Sequence, residues 1–130
     1  MTAQATIKLL SLDDKTVTTD LDRAGYRKMG VMVRAAASYD EANKVLKAEK
    51  IDLIVINMDY KPINAGEITK HLKAQDEYKE LPIVLTSVQT SAKVRNTALD
   101  AGADLFVEQP LPRQYFIEKL KQLLEHKTRT

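Results

Sequence analysis

Residues 51–58 read Ile-Asp-Leu-Ile-Val-Ile-Asn-Met, and within them Leu53-Ile54-Val55-Ile56 is an unbroken apolar run. Successive side chains of a strand face opposite sides of a sheet, so a strand with one wet face alternates apolar and polar residues. Four consecutive branched apolar residues instead predict a strand, Ile51–Met58, covered on both faces, the situation of a parallel sheet packed between helices. Beyond the run, Pro62 and Gly66 predict a loop, and Ile68 and Leu72 then recur at helical spacing.

The pattern repeats on either side. Ile7–Leu12 predicts a first strand, followed by Asp13-Asp14 and by Val17, Leu21 and Ala24 at helical spacing up to Gly25 or Met29. Val31–Ala35 predicts a second strand; Ser38 and Asp40 are candidate N-caps for a helix with Ala42, Val45 and Leu46 on its apolar side. Pro82 opens a fourth strand at Ile83-Val84-Leu85. Ser91 can cap a helix carrying Val94, Ala98 and Leu99, which ends at Ala101-Gly102-Ala103. Leu105-Phe106-Val107 predicts a fifth strand. After Pro110 and Pro112, Phe116, Ile117, Leu120, Leu123 and Leu124 trace a final amphipathic helix. Strand and helix alternate five times with crossovers long enough for parallel pairing, which predicts an α/β, doubly wound, five-stranded parallel sheet. Functional groups of such sheets gather at the carboxyl ends of the strands. That rule singles out Asp13, Asp14, Asn57, Met58, Asp59, Ser87, Glu108 and Gln109.

Composition narrows the function classes. The 130 residues are 44% hydrophobic and 29% charged, enough for one core and too few for two. Residues 1–125 are expected to form the domain, and 126–130 a polar tail or the start of a linker. No cysteine is present, which excludes disulfides and cysteine metal sites. The net charge is +2, with basic residues interleaved among acids along the predicted helices, the pattern of a solvated surface and not of a nucleic-acid groove. No apolar stretch approaches the ~18 residues of a membrane span, and Met1-Thr2-Ala3-Gln4-Ala5 does not begin a signal peptide. A cytoplasmic location is therefore expected. Nothing matches a glycine-rich phosphate loop, a catalytic triad or a dinucleotide fingerprint, so independent enzyme activity is not expected.

The residues at the strand ends carry a resemblance over essentially the whole chain. Asp13-Asp14 after the first strand, Asp52–Asn57, Pro82–Val88 and Ala101–Pro110 resemble, in order and spacing, the receiver domain of two-component response regulators, the CheY-like branch of the flavodoxin-like (βα)5 fold. The resemblance implies that Asp13 and Asp14 form the acidic pair that holds magnesium. Asn57 stands at the phosphorylated aspartate, Ser87 at the switch Ser/Thr, Phe106 at the switch aromatic and Gln109 at the lysine. It also implies a cis Gln109–Pro110 peptide.

Two departures decide the chemistry expected. A carboxylate can attack phosphorus and carry an acyl phosphate; the Asn57 amide is a poor nucleophile. A lysine ammonium neutralises phosphoryl oxygens; Gln109 offers a neutral hydrogen bond. Together they predict a degenerate, phosphorylation-independent pseudo-receiver acting by protein–protein interaction. Hydrogen bonding of the Asn57 and Gln109 amides with each other or with the acidic pair is expected to lock the pocket. Magnesium is expected to be absent or weakly bound, with Asp13 and Asp14 weak or vestigial ligands. Ser87 is expected to satisfy nearby backbone, and Phe106 to be core. The resemblance places the partner or dimer face on the fourth helix, fifth strand and fifth helix, where Lys93, Arg95, Asn96, Arg113, Tyr115, Lys119 and Gln122 are the candidates.

Two alternatives remain open at this point. Asp59, two residues beyond Asn57 and on the same face if the strand continued, could accept phosphate in a working phosphorelay; otherwise it is a solvated loop acid. Pro62 falls five residues after Asn57 where the family has four, which suggests a one-residue insertion. The chain could also be the input domain of a longer multidomain protein. His71 and His126 lack metal-ligand spacing and are expected at the surface.

Overall fold

A computed structural model describes residues 6–14, 23–89, 91–110 and 112–129. Five strands form one parallel sheet: β1 (Ile7–Leu12), β2 (Val31–Ala36), β3 (Leu53–Asn57), β4 (Ile83–Ser87) and β5 (Leu105–Glu108). The helices between and after them are α1 (Arg23–Lys28), α2 (Tyr39–Ala48), α3 (Ala65–Lys73), α4 (Ala92–Asp100) and α5 (Arg113–Arg129). The strand order is β2-β1-β3-β4-β5, so the doubly wound prediction holds. Val17 and Leu21, expected in the first helix, lie outside the described residues.

The period-2 alternation of the strands sorts their side chains into two cores. Leu10, Leu12, Ile54, Ile56, Ile83 and Leu85 pack with Ala42 and Leu46 of α2, Ile68 and Leu72 of α3 and Ala98 of α4. Leu9, Val33, Leu53, Val55, Val84 and Val107 pack on the other side with Tyr26 of α1 and Phe116, Ile117 and Leu120 of α5. The continuously apolar run of β3 serves both cores, which is why it shows no alternation. At about 25 cal/mol per Å2 of apolar surface removed from water, each such Leu or Ile contributes about 1.5–3 kcal/mol.

Local signals set the element ends. Ser38 caps α2, its side chain accepting from the Glu41 amide, while Asp40 falls inside the first turn. Ser91 caps α4 through the Val94 amide, and Gly102 takes a positive φ of 105° just after the helix ends, a backbone state that glycine adopts without steric cost.

Several expectations need correction. β3 spans Leu53–Asn57 and not Ile51–Met58: the Asp52 carboxylate captures the Lys8 amide (2.7 Å) ahead of the ladder, and the chain turns after Asn57, whose carbonyl accepts the Tyr60 amide. Gly66 lies inside α3, since the Asn64 side chain accepts from the Glu67 amide and starts that helix at Ala65. Leu99 is 46% exposed: Val94 and Ala98 are one helical step of four apart and share a side, whereas Leu99 is rotated about 100° from Ala98. The backbone of residues 126–129, expected as tail, is helical as part of α5. Among the described residues no helix is long and apolar enough to cross a membrane.

Candidate functional site

The strand order reverses about β1, with β2 on one side and β3 on the other, and a crevice at the carboxyl ends is the usual ligand site at such a switch point. Asp13 leaves the end of β1, its amide bonded to the Ala36 carbonyl at the end of β2 (3.0 Å). Asn57 is the last residue of β3. Across the crevice the Asn57 Nδ2 group donates to both Asp13 carboxylate oxygens, at 3.2 Å each. Its Oδ1 accepts the Asp59 amide at 2.8 Å. These neighbours impose one orientation on the Asn57 amide: a carboxylate only accepts and a backbone amide only donates. An aspartate could still accept from Asp59 but could not donate to Asp13.

The turn after β3 brings further groups into the same place. The Tyr60 amide bonds the Asn57 carbonyl (3.2 Å), and the Tyr60 hydroxyl reaches the Ala37 carbonyl (3.0 Å). Asp59 is half-buried and is no solvated loop acid. Its Oδ1 accepts the Ser87 hydroxyl at 2.8 Å and its Oδ2 the Val88 amide at 2.7 Å. Ser87 is fully buried; its Oγ, expected to serve nearby backbone, also accepts the Gln89 amide at 3.0 Å. This arrangement is not legible in the sequence. The one available signal was the period-2 placement of Asp59 beside Asn57, and it did not reveal Ser87 on the neighbouring strand.

Gln109 reaches the rim from the end of β5. Its amide donates to the Ser87 carbonyl (2.7 Å), and the Gln109–Pro110 peptide is cis, as the resemblance implied. Among the described residues the Gln109 side chain makes no hydrogen bond to Asn57 or the acidic pair, so only the asparagine amide engages Asp13 as expected. Gln109 instead lines a cavity of about 660 Å3 whose walls include Leu9, Val33, Val55 and Phe116 and whose polar members include Asp13, Asn57 and Arg113. Tyr26 also lines it; burial raises its phenol above the ordinary value, opposed by the nearby Arg113 guanidinium. Phe106 is half-buried against the α2–α3–α4 core.

The donor set as arranged does not fit a magnesium ion. Asn57 turns N–H groups towards Asp13, and its only oxygen is taken by the Asp59 amide. Asp13 Oδ1 also accepts the Asp14 amide, at 2.6 Å. Among the described residues no three acidic or histidine side chains cluster as a metal site.

On the candidate partner elements, Lys93, Arg95, Asn96, Arg113, Tyr115, Lys119 and Gln122 are all exposed. Arg95 Nη2 pairs with Glu108 Oε1 at 3.0 Å, tying α4 to β5. His71 is an exposed residue that contacts the Tyr39 hydroxyl, with the two rings edge-to-face; His126 lies outside the described side chains.

A five-stranded 2-1-3-4-5 sheet with acids, a hydroxyl and a cis X–Pro at its carboxyl edge defines a receiver-type signalling module. Residues 9–121 match the response regulator receiver domain family, and the chain belongs to that family. A chemotaxis protein CheY homolog of Campylobacter jejuni is 22% identical over 120 residues, 91% of this chain and 92% of the relative. The transcriptional regulatory protein AfsQ1 of Streptomyces coelicolor is 28% identical over 116 residues, 89% of this chain and 50% of that longer protein. Among solved structures, the chemotaxis response regulator CheY4 of Vibrio cholerae has a TM-score of 0.80 at 21% identity, covering 92% of this chain and 99% of that one. The receiver domain of the sensor histidine kinase PA1611 from Pseudomonas aeruginosa, solved with a magnesium ion in its active site cleft, has a TM-score of 0.79 at 20% identity, covering 93% and 99%.

Proposed function

We propose that this receiver domain signals without accepting a phosphoryl group, by docking a protein partner or a second copy of itself. The observation that carries the reading is the Asn57–Asp13 contact. Residue 57 has no second carboxylate oxygen to act as nucleophile, and its N–H groups are spent on the acid that would otherwise help hold a cation. Gln109 adds no positive charge to draw in a phosphoryl group. Magnesium binding is weak or absent in this reading, because an amide replaces one anionic ligand.

Docking uses α4, β5 and α5, where Arg95, Arg113 and Tyr115 are of the residue types enriched at interface hot spots. This domain makes no nucleic-acid contact of its own. Incubation with acetyl phosphate and magnesium, followed by intact-mass measurement, is expected to leave the mass unchanged. A stoichiometric phosphoryl adduct that survives Asp59→Asn would end the non-acceptor reading, and one abolished by it would move the acceptor to Asp59. A pull-down comparing wild type with the Arg113→Ala, Tyr115→Ala, Lys119→Ala triple variant tests the face. Equal recovery of every partner removes it.

A further inference from the structure

We infer that the cavity between the sheet and helices α1 and α5 binds a small uncharged molecule, an apolar fused-ring body with a hydrogen-bonding oxygen at each end. The cavity is about 660 Å3. Small-molecule sites occupy about 300–1,000 Å3 and are mostly apolar, with a few placed polar groups. Leu9, Val33 and Val55 form its floor on the sheet, and Tyr26 of α1 and Phe116 of α5 form the opposite wall.

Two hydroxyls are set into that floor. Alternation along the strands puts Ser11 on the face of Leu9 and Thr86 on the face of Val84. Both therefore point to the α1–α5 side, and both line the cavity. Elsewhere this face of the sheet is built from Leu9, Val33, Leu53, Val55, Val84 and Val107. A valine would fill the place of Thr86 without a polar group to satisfy. Ser11 is 9% exposed and Thr86 4%, and a hydroxyl so deeply placed costs free energy unless it is hydrogen-bonded. Among the described residues neither Ser11 Oγ nor Thr86 Oγ1 has a hydrogen-bond partner, and no buried side-chain oxygen is sealed off without one. Both hydroxyls therefore open onto the cavity.

Their spacing selects the ligand. Ser11 lies opposite Val55 and Thr86 opposite Asn57, on the two strands that flank β3. Two inter-strand steps of about 4.8 Å across, and two residues along, set the hydroxyls about 10–12 Å apart. A ligand that meets both needs its oxygens at opposite ends of a rigid body about as long as naphthalene. The charged residues of the lining, Asp13 and Arg113, are of opposite sign, so the site favours a neutral molecule over an ion. Binding needs no chemistry at residue 57; its role as the domain's input in place of a phosphoryl group rests on the preceding reading.

The probe that tests this is naphthalene-2,6-diol, followed by calorimetry and amide NMR. Wild type is expected to bind it saturably, with the largest shifts at Ser11, Val33, Thr86 and Phe116. Ser11→Ala and Thr86→Val each remove one hydroxyl and should weaken binding about two- to tenfold apiece. Val33→Phe, which places a ring in the cavity, should abolish it. Naphthalene itself should bind wild type and the Ser11→Ala, Thr86→Val double variant alike. Absence of saturable diol binding to wild type would overturn the inference. Undiminished affinity in the folded double variant would do the same, and that variant decides the matter even where Val33→Phe does not fold. A phosphoryl adduct on wild type that still binds the diol would sink the preceding reading and leave the site standing.

Discussion

Replacing Asn57 by aspartate changes one atom's chemistry and reverses the sign of a contact. In the wild type the Nδ2 group lies 3.2 Å from each oxygen of Asp13, a shared bond to a charged acceptor worth about 1.5–3 kcal/mol. Asn57→Asp removes it and sets two carboxylates about 3.5 Å apart. At an effective dielectric near 20 that repulsion is about 5 kcal/mol before relaxation. Both side chains are half-buried, so rotation towards water relieves much of it, and a net loss of about 3 kcal/mol is expected with the hydrogen bond included. Unfolding entropy of about 2.1 cal/mol/K per residue gives a chain of this length about 0.27 kcal/mol/K, so Tm falls by about 11 °C. Asn57→Ala adds no charge but loses both this bond and the Oδ1 acceptor of the Asp59 amide, so its Tm should fall by a comparable amount. The assay is calorimetric melting in a chelator, repeated with magnesium. The cation should restore Asn57→Asp, by neutralising the paired acids, and leave wild type nearly unmoved. A Tm for Asn57→Asp that is unchanged or raised in chelator would refute the reasoning, as would a failure of magnesium to raise it.

Four other perturbations follow from the structure. Asp104 accepts Lys73 Nζ at 2.7 Å and the Ile83 amide at 2.8 Å; Asp104→Ala should lower stability in urea by about 2–4 kcal/mol, and Asp104→Asn by less. Ile117→Ala empties a fully buried position of the α5 core and should lose about 2–5 kcal/mol. The Arg113/Tyr115/Lys119 triple alanine variant, on the exposed side of the same helix, should stay within about 1–1.5 kcal/mol of wild type. Burial raises the Tyr26 phenol and Arg113 opposes that rise. The neutral form is therefore the one favoured in the fold, and its stabilising contribution is present below the ordinary tyrosine range and lost as pH climbs through the raised value. Phenolate absorbance should show late ionisation from both Tyr26 and Tyr78, the latter raised by burial and by Glu77; the Tyr26 share disappears in Tyr26→Phe and shifts later still in Arg113→Ala.

Five apolar runs, each followed by a helical spacing pattern, were enough to specify a doubly wound sheet, because burial on both faces leaves a direct imprint on residue order. The caps Ser38 and Ser91 were equally readable, since capping is a contact between a residue and an amide three positions on. Boundaries were less so. Asp52 and Asn64 moved the starts of β3 and α3 through side-chain bonds to backbone amides, one of them on a different strand. Leu99 belonged to a plausible apolar pattern and yet faces water.

The identity of residue 57 is a fact of the chain alone: an amide there excludes acyl-phosphate chemistry at that atom in any conformation. Which groups that amide meets is a different kind of fact. Asp13 lies 44 positions away and Ser87 lies 28 positions from Asp59, and spacing of that length carries no geometric information. Their meeting depends on β1 and β4 flanking β3 and on Asn57 standing in register with Thr86, the neighbour of Ser87. Chemical capacity is a property of each side chain, whereas a bound anion or a paired acid is a property of distance, and distance across a sheet exists once the strands have chosen their neighbours.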